Sequence, residues 1–217
     1  MNDETQQRTD DWFSARCGLV TASRIADLTA RTKSGWSSSR ERYMGQLVVE
    51  RLTQRPMDSY QNAAMQRGIE LEPAAIAAYE ALRLCVVEPV GFLLHPNITL
   101  AGASPDGLVG DDGLVEVKCP ETHTHLDTLV ADSKPRRDPV QGRYRLQMQW
   151  QMAVTGRAWC DYVSFDDRVP EHLQLFVTRV ERDDALIAEL EGKVMDFLEE
   201  LDERIESLRR FENGLST

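Results

Sequence analysis

Residues 104–118 read SPDGLVGDDGLVEVK and have the pattern of a β-hairpin. Asp111-Asp112-Gly113 is typical of a tight hairpin turn, because Asp and Gly tolerate the left-handed backbone that such turns require. Short apolar runs flank the turn. Residues 106–109 and 114–118 are therefore predicted to pair as antiparallel strands of one sheet.

Alternation along these strands gathers three charged side chains at one end of the sheet. Successive side chains point to opposite faces, so Glu116 and Lys118 share one face while Val115 and Val117 enter the core. Counting back through the turn sets Asp106 opposite Glu116 or Lys118. A bare pattern of this kind is most often a solvated surface hairpin, but burying three charged groups on an apolar hairpin is costly without a function.

These groups suit a divalent cation. Mg²⁺ prefers hard oxygen ligands and keeps several of its waters. The carboxylates of Asp106 and Glu116 and the backbone carbonyl of Val117 supply such oxygens, and they leave positions for water and a phosphate oxygen. The pattern therefore predicts a magnesium site at this end of the sheet.

The rest of the chain alternates between helical and strand patterns. Helices are expected near residues 10–16, 21–28, 40–52, 61–84 with a break near Gly68, 122–132, 140–155 and 183–211. Strands are expected at residues 86–94, 100–103, 108–109, 114–119, 159–165 and 173–180. We expect a single domain over residues 1–217, of the α/β (α+β) class, with a central mixed β-sheet flanked by helices.

Composition bounds the class of protein. The 217 residues include 25 Lys and Arg against 36 Asp and Glu, a net charge of −11, and 41% are hydrophobic. These values fit a chain with a buried core and argue against disorder. No run approaches the roughly 18 apolar residues of a membrane span, and the polar start does not resemble a signal peptide. The cysteines are far apart, which argues against a zinc knuckle and against a disulfide framework. We expect a cytoplasmic protein without membrane contact.

The negative charge is unevenly distributed along the chain. Residues 184–212 carry ten acidic and four basic side chains, whereas basic side chains gather in residues 16–42 and 134–145. Each basic group taken alone is most often a solvated face. Because DNA affinity comes largely from Lys and Arg at phosphates, the acidic total excludes a uniformly basic binder but allows a basic channel within an acidic shell.

Several motifs accompany the hairpin in a fixed order. Pro105-Asp106…Glu116-Val117-Lys118 resembles the PD-(D/E)XK nuclease core, which has a restriction-endonuclease-like fold. The accompanying motifs are Trp12-Phe13-x-x-Arg16-x-Gly18-x-Val20-Thr21-Ala22-Ser23, Gly68-x-Glu70-x-Glu72, Ala103-Ser104-Pro105-Asp106-Gly107-Leu108, Glu116-Val117-Lys118-Cys119-Pro120 and Tyr144-x-x-Gln147-x-Gln149. Their ordered combination is specific: nearly the whole chain is similar to the phage lambda exonuclease (alkaline exonuclease, YqaJ-like viral recombinase) family.

The resemblance implies a role for each matching residue of the hairpin. Asp106 and Glu116 fall where the family binds its metal ions, together with the backbone carbonyl of Val117. Lys118 matches the lysine that orients or activates the attacking water. The resemblance therefore assigns catalysis to the groups that the hairpin brings together.

Two helical positions complete the catalytic set that the resemblance implies. Glu72 matches an acidic residue near the metals, which it can reach through water; without the resemblance it would be an ordinary exposed glutamate. Gln147 matches a glutamine of the helix after the core. Tyr144, Gln147 and Gln151 lie at i, i+3 and i+7, so they share one helix face that can cover the pocket.

The resemblance also implies a site for the terminal 5′-phosphate of DNA. Arg16 and Ser23 match the positions that hold this phosphate, with Ser104 and Gln147 assisting. A guanidinium grips phosphate bidentately, and Ser23 lies in the first turn of a predicted helix whose N terminus favours anions. The alternative is that Arg16 pairs with the aspartate at position 10 or 11. Further DNA-contact candidates are Arg31, Lys33, Met65 and Tyr144.

The function implied is a Mg²⁺-dependent exonuclease that digests the 5′-ended strand of linear double-stranded DNA to 5′-mononucleotides. The resemblance further implies two Mg²⁺ ions, with Mn²⁺ as a substitute, a 5′-phosphorylated duplex, a homotrimeric ring and a cognate single-strand annealing protein in a bacterial host cell. Two alternatives remain open: an endonuclease or resolvase of the same superfamily, and a non-catalytic module that binds DNA ends.

Overall fold

The structure is a computed structural model that describes residues 7–57, 63–134 and 137–214. Residues 61 and 62 of a predicted helix and 135 and 136 of a basic group lie outside these ranges. The helices are α1 (Asp10–Arg16), α2 (Ile25–Thr29), α3 (Ser38–Thr53), α4 (Ala63–Arg83), α5 (Thr122–Asp132), α6 (Gly142–Thr155) and α7 (Asp184–Gly214). The strands are β1 (Val20–Thr21), β2 (Arg31–Thr32), β3 (Gly35–Trp36), β4 (Val87–Glu88), β5 (Leu93–Leu94), β6 (Ala101–Ala103), β7 (Gly107–Val109), β8 (Gly113–Lys118), β9 (Trp159–Phe165) and β10 (Leu175–Glu181).

A five-stranded mixed sheet of order β10-β9-β8-β7-β4 carries the hairpin. Strand β8 pairs antiparallel with β7 and parallel with β9. Gly107 faces Val115 and Val109 faces Gly113, so residues 110–112 form the connecting turn. The predicted hairpin is confirmed, and so is the α/β class with a mixed sheet flanked by helices.

The segment 86–94, predicted as one strand, forms two strands in different sheets. Strand β4 is the edge of the five-stranded sheet, whereas β5 joins a three-stranded sheet of order β1-β6-β5. Pro89 has no N–H to donate to a ladder and Gly91 adds backbone freedom, so the chain leaves one sheet before it enters the other. Strand β6 of the smaller sheet leads directly into Asp106, so the site lies where the two sheets meet.

Helix α4 runs without the break predicted near Gly68, and Pro73 lies inside it. An internal proline costs a helix about 3 kcal/mol, because it lacks an N–H and its ring crowds the preceding turn. Ala75 and Tyr79 are buried in an apolar cluster with residues of β8 and β9, and this packing offsets the cost. The prediction was wrong because these contacts between distant segments leave no signal in the local sequence.

Strand β8 is covered on both faces. On one face α4 packs on it through a cluster that includes Tyr79, Val115 and Val117. On the other face α6 packs over Leu114, and Glu116 on this side is only 1% exposed. The packing therefore buries a glutamate beneath α6, where its hydrogen-bond partners must come from the protein.

Helix α7 packs its apolar side on α2 and α3, with Phe197 fully buried. Part of its acidic side is neutralised by α3, since ion pairs join Glu200 to Arg40 at 2.8 Å and Asp202 to Arg51 at 2.7 Å. Over the described ranges, no helix has the length and apolar character needed to cross a membrane.

Candidate active site

Glu116 lies at the centre of the site with both carboxylate oxygens bonded. Lys118 and Gln147 donate to Oε1, the amide at 2.6 Å, and Gln151 donates to Oε2 at 2.6 Å. Both glutamines lie on the face of α6 that was predicted to cover the pocket. Gln151 is fully buried, and its own Oε1 has no partner among the described residues. Its spacing in the sequence predicts a position on this face but no role for Gln151.

Asp106 enters the site between β6 and β7. Its Oδ2 accepts a hydrogen bond from the backbone N–H of Val117 at 2.7 Å, which holds the carboxylate beside β8. Burial and the charges of Glu116 and Glu72 raise the pKa of Asp106 well above its usual range, and the ammonium of Lys118 opposes them only in part. The three carboxylates therefore repel one another, a situation that a bound cation would relieve.

Lys118 carries the positive charge of this centre. Its Nζ donates to Glu116 and lies 5.2 Å from the ring centre of Tyr144. Burial alone would lower the pKa of Lys118, but the carboxylates of Glu116 and Asp106 raise it above its usual value. The group therefore stays an ammonium, which can donate hydrogen bonds to a water or to an anionic oxygen.

Glu72 reaches the site from α4 and is held by an arginine that the sequence analysis missed. Arg8 donates to both of its carboxylate oxygens, at 2.5 and 3.3 Å. Residue 8 belongs to a polar stretch before α1 and matches none of the quoted motifs. No signal in the sequence could have singled it out.

A cleft of about 790 Å³ opens onto Glu72, Lys118 and Gln147, and the last two are hydrogen-bonded to the buried Glu116. Its lining includes Arg8, Glu72, Val117, Lys118 and Gln147. In the described part of the chain no three His, Cys, Asp or Glu side chains already surround one point; Glu116 is turned to its glutamines and Glu72 to Arg8. Mg²⁺ nevertheless needs only one or two carboxylates, since it keeps several waters. The hard oxygens of Asp106, Glu116 and the Val117 carbonyl therefore fit this ion.

A second cleft, of about 360 Å³, adjoins the first and contains Arg16. The Arg16 guanidinium stacks on Trp12, 3.7 Å from the ring centre. Burial lowers the pKa of Arg16 to about 10, and the nearby Tyr43 hydroxyl and Glu50 carboxylate oppose this shift only in part. The contact with the Trp12 ring leaves the N–H groups of the guanidinium able to donate to an anion.

The two serines predicted to assist Arg16 differ in placement. Ser23 is exposed on the 3₁₀ turn Ala22–Arg24, ahead of α2 rather than in its first turn, and it lines both clefts. Ser104 accepts a hydrogen bond from Nε1 of Trp12 at 3.0 Å, so it supports the ring on which Arg16 stacks. Arg16 and Ser23 therefore line the second cleft, whereas Ser104 contacts it through Trp12.

The remaining DNA-contact candidates lie in two places. Met65 is 49% exposed and lines both clefts, and Tyr144 lines the first. Arg31 and Lys33 lie on the exposed hairpin of β2 and β3, where Arg31 stacks on Trp36 at 3.7 Å. Only the first pair is therefore part of the clefts described here.

Comparisons with known proteins identify the family. Residues 11–158 match the YqaJ-like viral recombinase domain. An alkaline exonuclease from Laribacter hongkongensis is 52% identical, with 95% of this chain and 100% of that chain covered and a TM-score of 0.85; its complex with dAMP gives 53% identity over the same coverage and a TM-score of 0.86.

A phage-related exonuclease from Haemophilus somnus 129PT shares the fold at 17% identity, with 88% of this chain and 96% of that chain covered and a TM-score of 0.69. A comparison with curated protein sequences finds no match. The motif order, the domain match and the 52% identity agree. The chain therefore belongs to the YqaJ-like viral recombinase family, which is the family that its motifs resemble.

Proposed function

We propose that the protein is a Mg²⁺-dependent exonuclease that digests the 5′-ended strand of linear double-stranded DNA in the 5′-to-3′ direction and leaves a 3′ overhang for strand annealing. The observation that carries the proposal is the junction of the two clefts, whose shared lining includes Arg8, Ser23, Met65 and Ile69. A strand end can present its terminal phosphate to Arg16 in one cleft and its next phosphodiester to the carboxylates in the other.

The relatives support the same chemistry. The Laribacter hongkongensis protein is described as an alkaline exonuclease, and one of its structures contains dAMP. A nucleoside monophosphate of this kind is what an enzyme must release when it removes one nucleotide at a time from a strand end. We therefore infer that the chain releases 5′-mononucleotides.

Two Mg²⁺ ions, or Mn²⁺ in their place, would be held by Asp106, Glu116, the backbone carbonyl of Val117 and Glu72. When bound, such ions stabilise negative charge on the attacking and leaving oxygens. Gln147 fixes one oxygen of Glu116 before any ligand arrives. The carboxylate is therefore already oriented, and little reorganisation accompanies the reaction.

The other groups bind and orient the strand. The Lys118 ammonium holds the attacking water by hydrogen bonding beside Glu116. Arg16 grips the terminal 5′-phosphate in a bidentate manner, with Ser23 and Ser104 as additional hydroxyl donors. The cut then falls one nucleotide from the 5′ end, which sets the direction of digestion.

We further infer a homotrimeric ring that encircles a 5′-phosphorylated duplex and acts with a cognate annealing protein in the cytoplasm of a bacterial host. The family resemblance supports the ring, and the acidic α7 supports an outer surface that repels DNA from unproductive sites. Light scattering should give about three times the mass of the chain. A monomer or dimer at micromolar concentration would reject the ring.

Digestion of linear duplex labelled at either the 5′ or the 3′ end tests the proposal. With Mg²⁺ we expect loss of the 5′ label as mononucleotide while the 3′-labelled strand shortens from its other end, and no cleavage in EDTA. Covalently closed circular DNA should stay intact. Nicking of the circle would favour an endonuclease or resolvase, and binding of ends without cleavage would favour a non-catalytic module.

A further inference from the structure

Arg8 has a backbone conformation that is unusual for its residue type. Its φ is +67°, in the left-handed region that side chains with a Cβ rarely occupy. The other non-glycine residues with positive φ in the described ranges, Gln54 and Leu84, directly follow α3 and α4, where helix ends commonly require that conformation. Arg8 precedes a helix instead, so helix termination does not explain its strain.

The residues on both sides hold Arg8 in place. The Gln7 side chain donates to the carbonyls of Val90 at 3.0 Å and Pro105 at 2.7 Å. On the other side, Thr9 caps α1 by accepting from the Trp12 N–H at 3.2 Å. The segment is thus tied to the residue before Asp106 and to the helix that carries Arg16.

The Arg8 side chain lies between the two clefts. It lines both of them, and it is 38% exposed while paired with Glu72. An ion pair with this exposure adds little stability, so the pair alone does not account for a strained backbone. Strain of this kind is typical of functional positions, where the surrounding structure imposes it.

We propose that Arg8 binds the scissile phosphate. This inference rests on the proposed function, because it takes Arg16 as the anchor of the terminal phosphate and Asp106 and Glu116 as the centre of cleavage. Between them, a guanidinium with five donors suits the non-bridging oxygens of a phosphodiester. Its contact with Glu72 keeps the fork beside the carboxylates until DNA enters.

A pair of variants separates the guanidinium from the backbone. Arg8→Gly removes the side chain and adopts positive φ without strain, whereas Arg8→Ala removes it and keeps the strain. Both should lower kcat by roughly ten- to a hundredfold, as expected for a lost charge-assisted contact. Both should keep the preference for 5′-phosphorylated over 5′-hydroxyl ends, because Arg16 remains. Loss of activity in Arg8→Ala alone would overturn the proposal in favour of a backbone role.

Binding of a duplex end in EDTA gives a readout that needs no cleavage. Each phosphate contact contributes about 0.9 to the slope of log Kd against log salt concentration for duplex DNA. Arg8→Gly should reduce this slope by about one contact, also in a Glu72→Gln background. Arg210→Ala, which removes an exposed charge of the acidic α7, should leave it unchanged and controls for net charge.

An unchanged salt slope in Arg8→Gly would overturn the assignment of Arg8, and so would an effect on the slope that disappears in the Glu72→Gln background. Loss of the 5′-phosphate preference would overturn it as well, because that result would place Arg8 in the terminal-phosphate cleft. Failure of the proposed function looks different. In that case the wild type would not digest linear duplex from its 5′ ends, whereas the salt slope would still report whether Arg8 contacts a phosphate.

Discussion

The two clefts differ in how the protein holds their charged groups. Around Glu116 both carboxylate oxygens are bonded, to Lys118 and two glutamines, so the protein holds this group in place although the carboxylates of the site still repel one another. Around Arg16 the guanidinium rests on the face of Trp12 and is partly desolvated, so that burial lowers its pKa. The first cleft is built to hold its own groups in fixed positions, and the second keeps a charge for the ligand.

This difference predicts how each cleft responds to substitution. Removing a group from the carboxylate cleft should disturb chemistry while binding persists. Removing Arg16 should disturb recognition of the DNA end while chemistry persists. Substitutions in each cleft test that separation.

The largest effect is expected for the carboxylates themselves. Asp106→Ala or Glu116→Ala should lower the cleavage rate by roughly a thousandfold or more, because a lost metal ligand removes several kcal/mol of transition-state stabilisation and about 1.4 kcal/mol is a factor of ten. Single-turnover digestion of linear duplex measures the rate, and gel shift measures end binding. Lys118→Ala should be severely impaired but keep Mg²⁺ binding. Near-normal cleavage by either carboxylate variant would contradict the assignment.

An intermediate effect is expected for Arg16. Arg16→Ala should remove most of the preference for 5′-phosphorylated over 5′-hydroxyl duplex, a loss of about 1.5–3 kcal/mol or roughly ten- to a hundredfold. Arg16→Lys should recover only part of it, since lysine keeps the charge but lacks the planar fork. The ratio of initial rates on the two substrates is the measurement. A wild type that treats both ends alike would show that the second cleft does not read the phosphate.

The smallest effect is expected for Gln151. Gln151→Leu should raise the Mg²⁺ concentration for half-maximal activity about tenfold, because a loss of this size is typical when a residue that orients a metal ligand is removed. The same variant should show a smaller rise in Tm when Mg²⁺ is added. Gln149→Leu is the matched control, because Gln149 donates to the carbonyl of Glu181 and accepts from the Asp183 N–H instead. It should lower Tm without changing the Mg²⁺ requirement. Equal Mg²⁺ requirements in both variants would contradict the role of Gln151.

Local chemistry explains what could be predicted from the sequence. The hairpin depends on the Asp-Asp-Gly turn and on strand alternation, which act over a few residues, so the shared face of Glu116 and Lys118 could be predicted. The absence of a break near Gly68 could not, because the continuity of α4 depends on burial of Tyr79 against a strand far along the chain. The place of Glu72 near the site could be predicted only from the resemblance of its motif to the family.

The residues that the sequence analysis missed share one property. Arg8 and the partnership of Gln151 with Glu116 arise from contacts across 64 and 35 positions of the chain. Neither residue stands out in its local sequence, because an arginine in a polar segment and a glutamine in a helix are both common. Such contacts become visible only when the strands and helices are assembled.

Burial of β8 on both faces has a consequence for how this protein can evolve. The same six-residue strand supplies Val115 and Val117 to the apolar core and Glu116 and Lys118 to the site. A substitution that repacks the interior here also shifts the reacting groups, so selection for thermal tolerance and selection for turnover act on the same positions. Substitutions that adapt the protein to a higher working temperature should therefore accumulate at α7 and the loops, and leave this strand nearly unchanged.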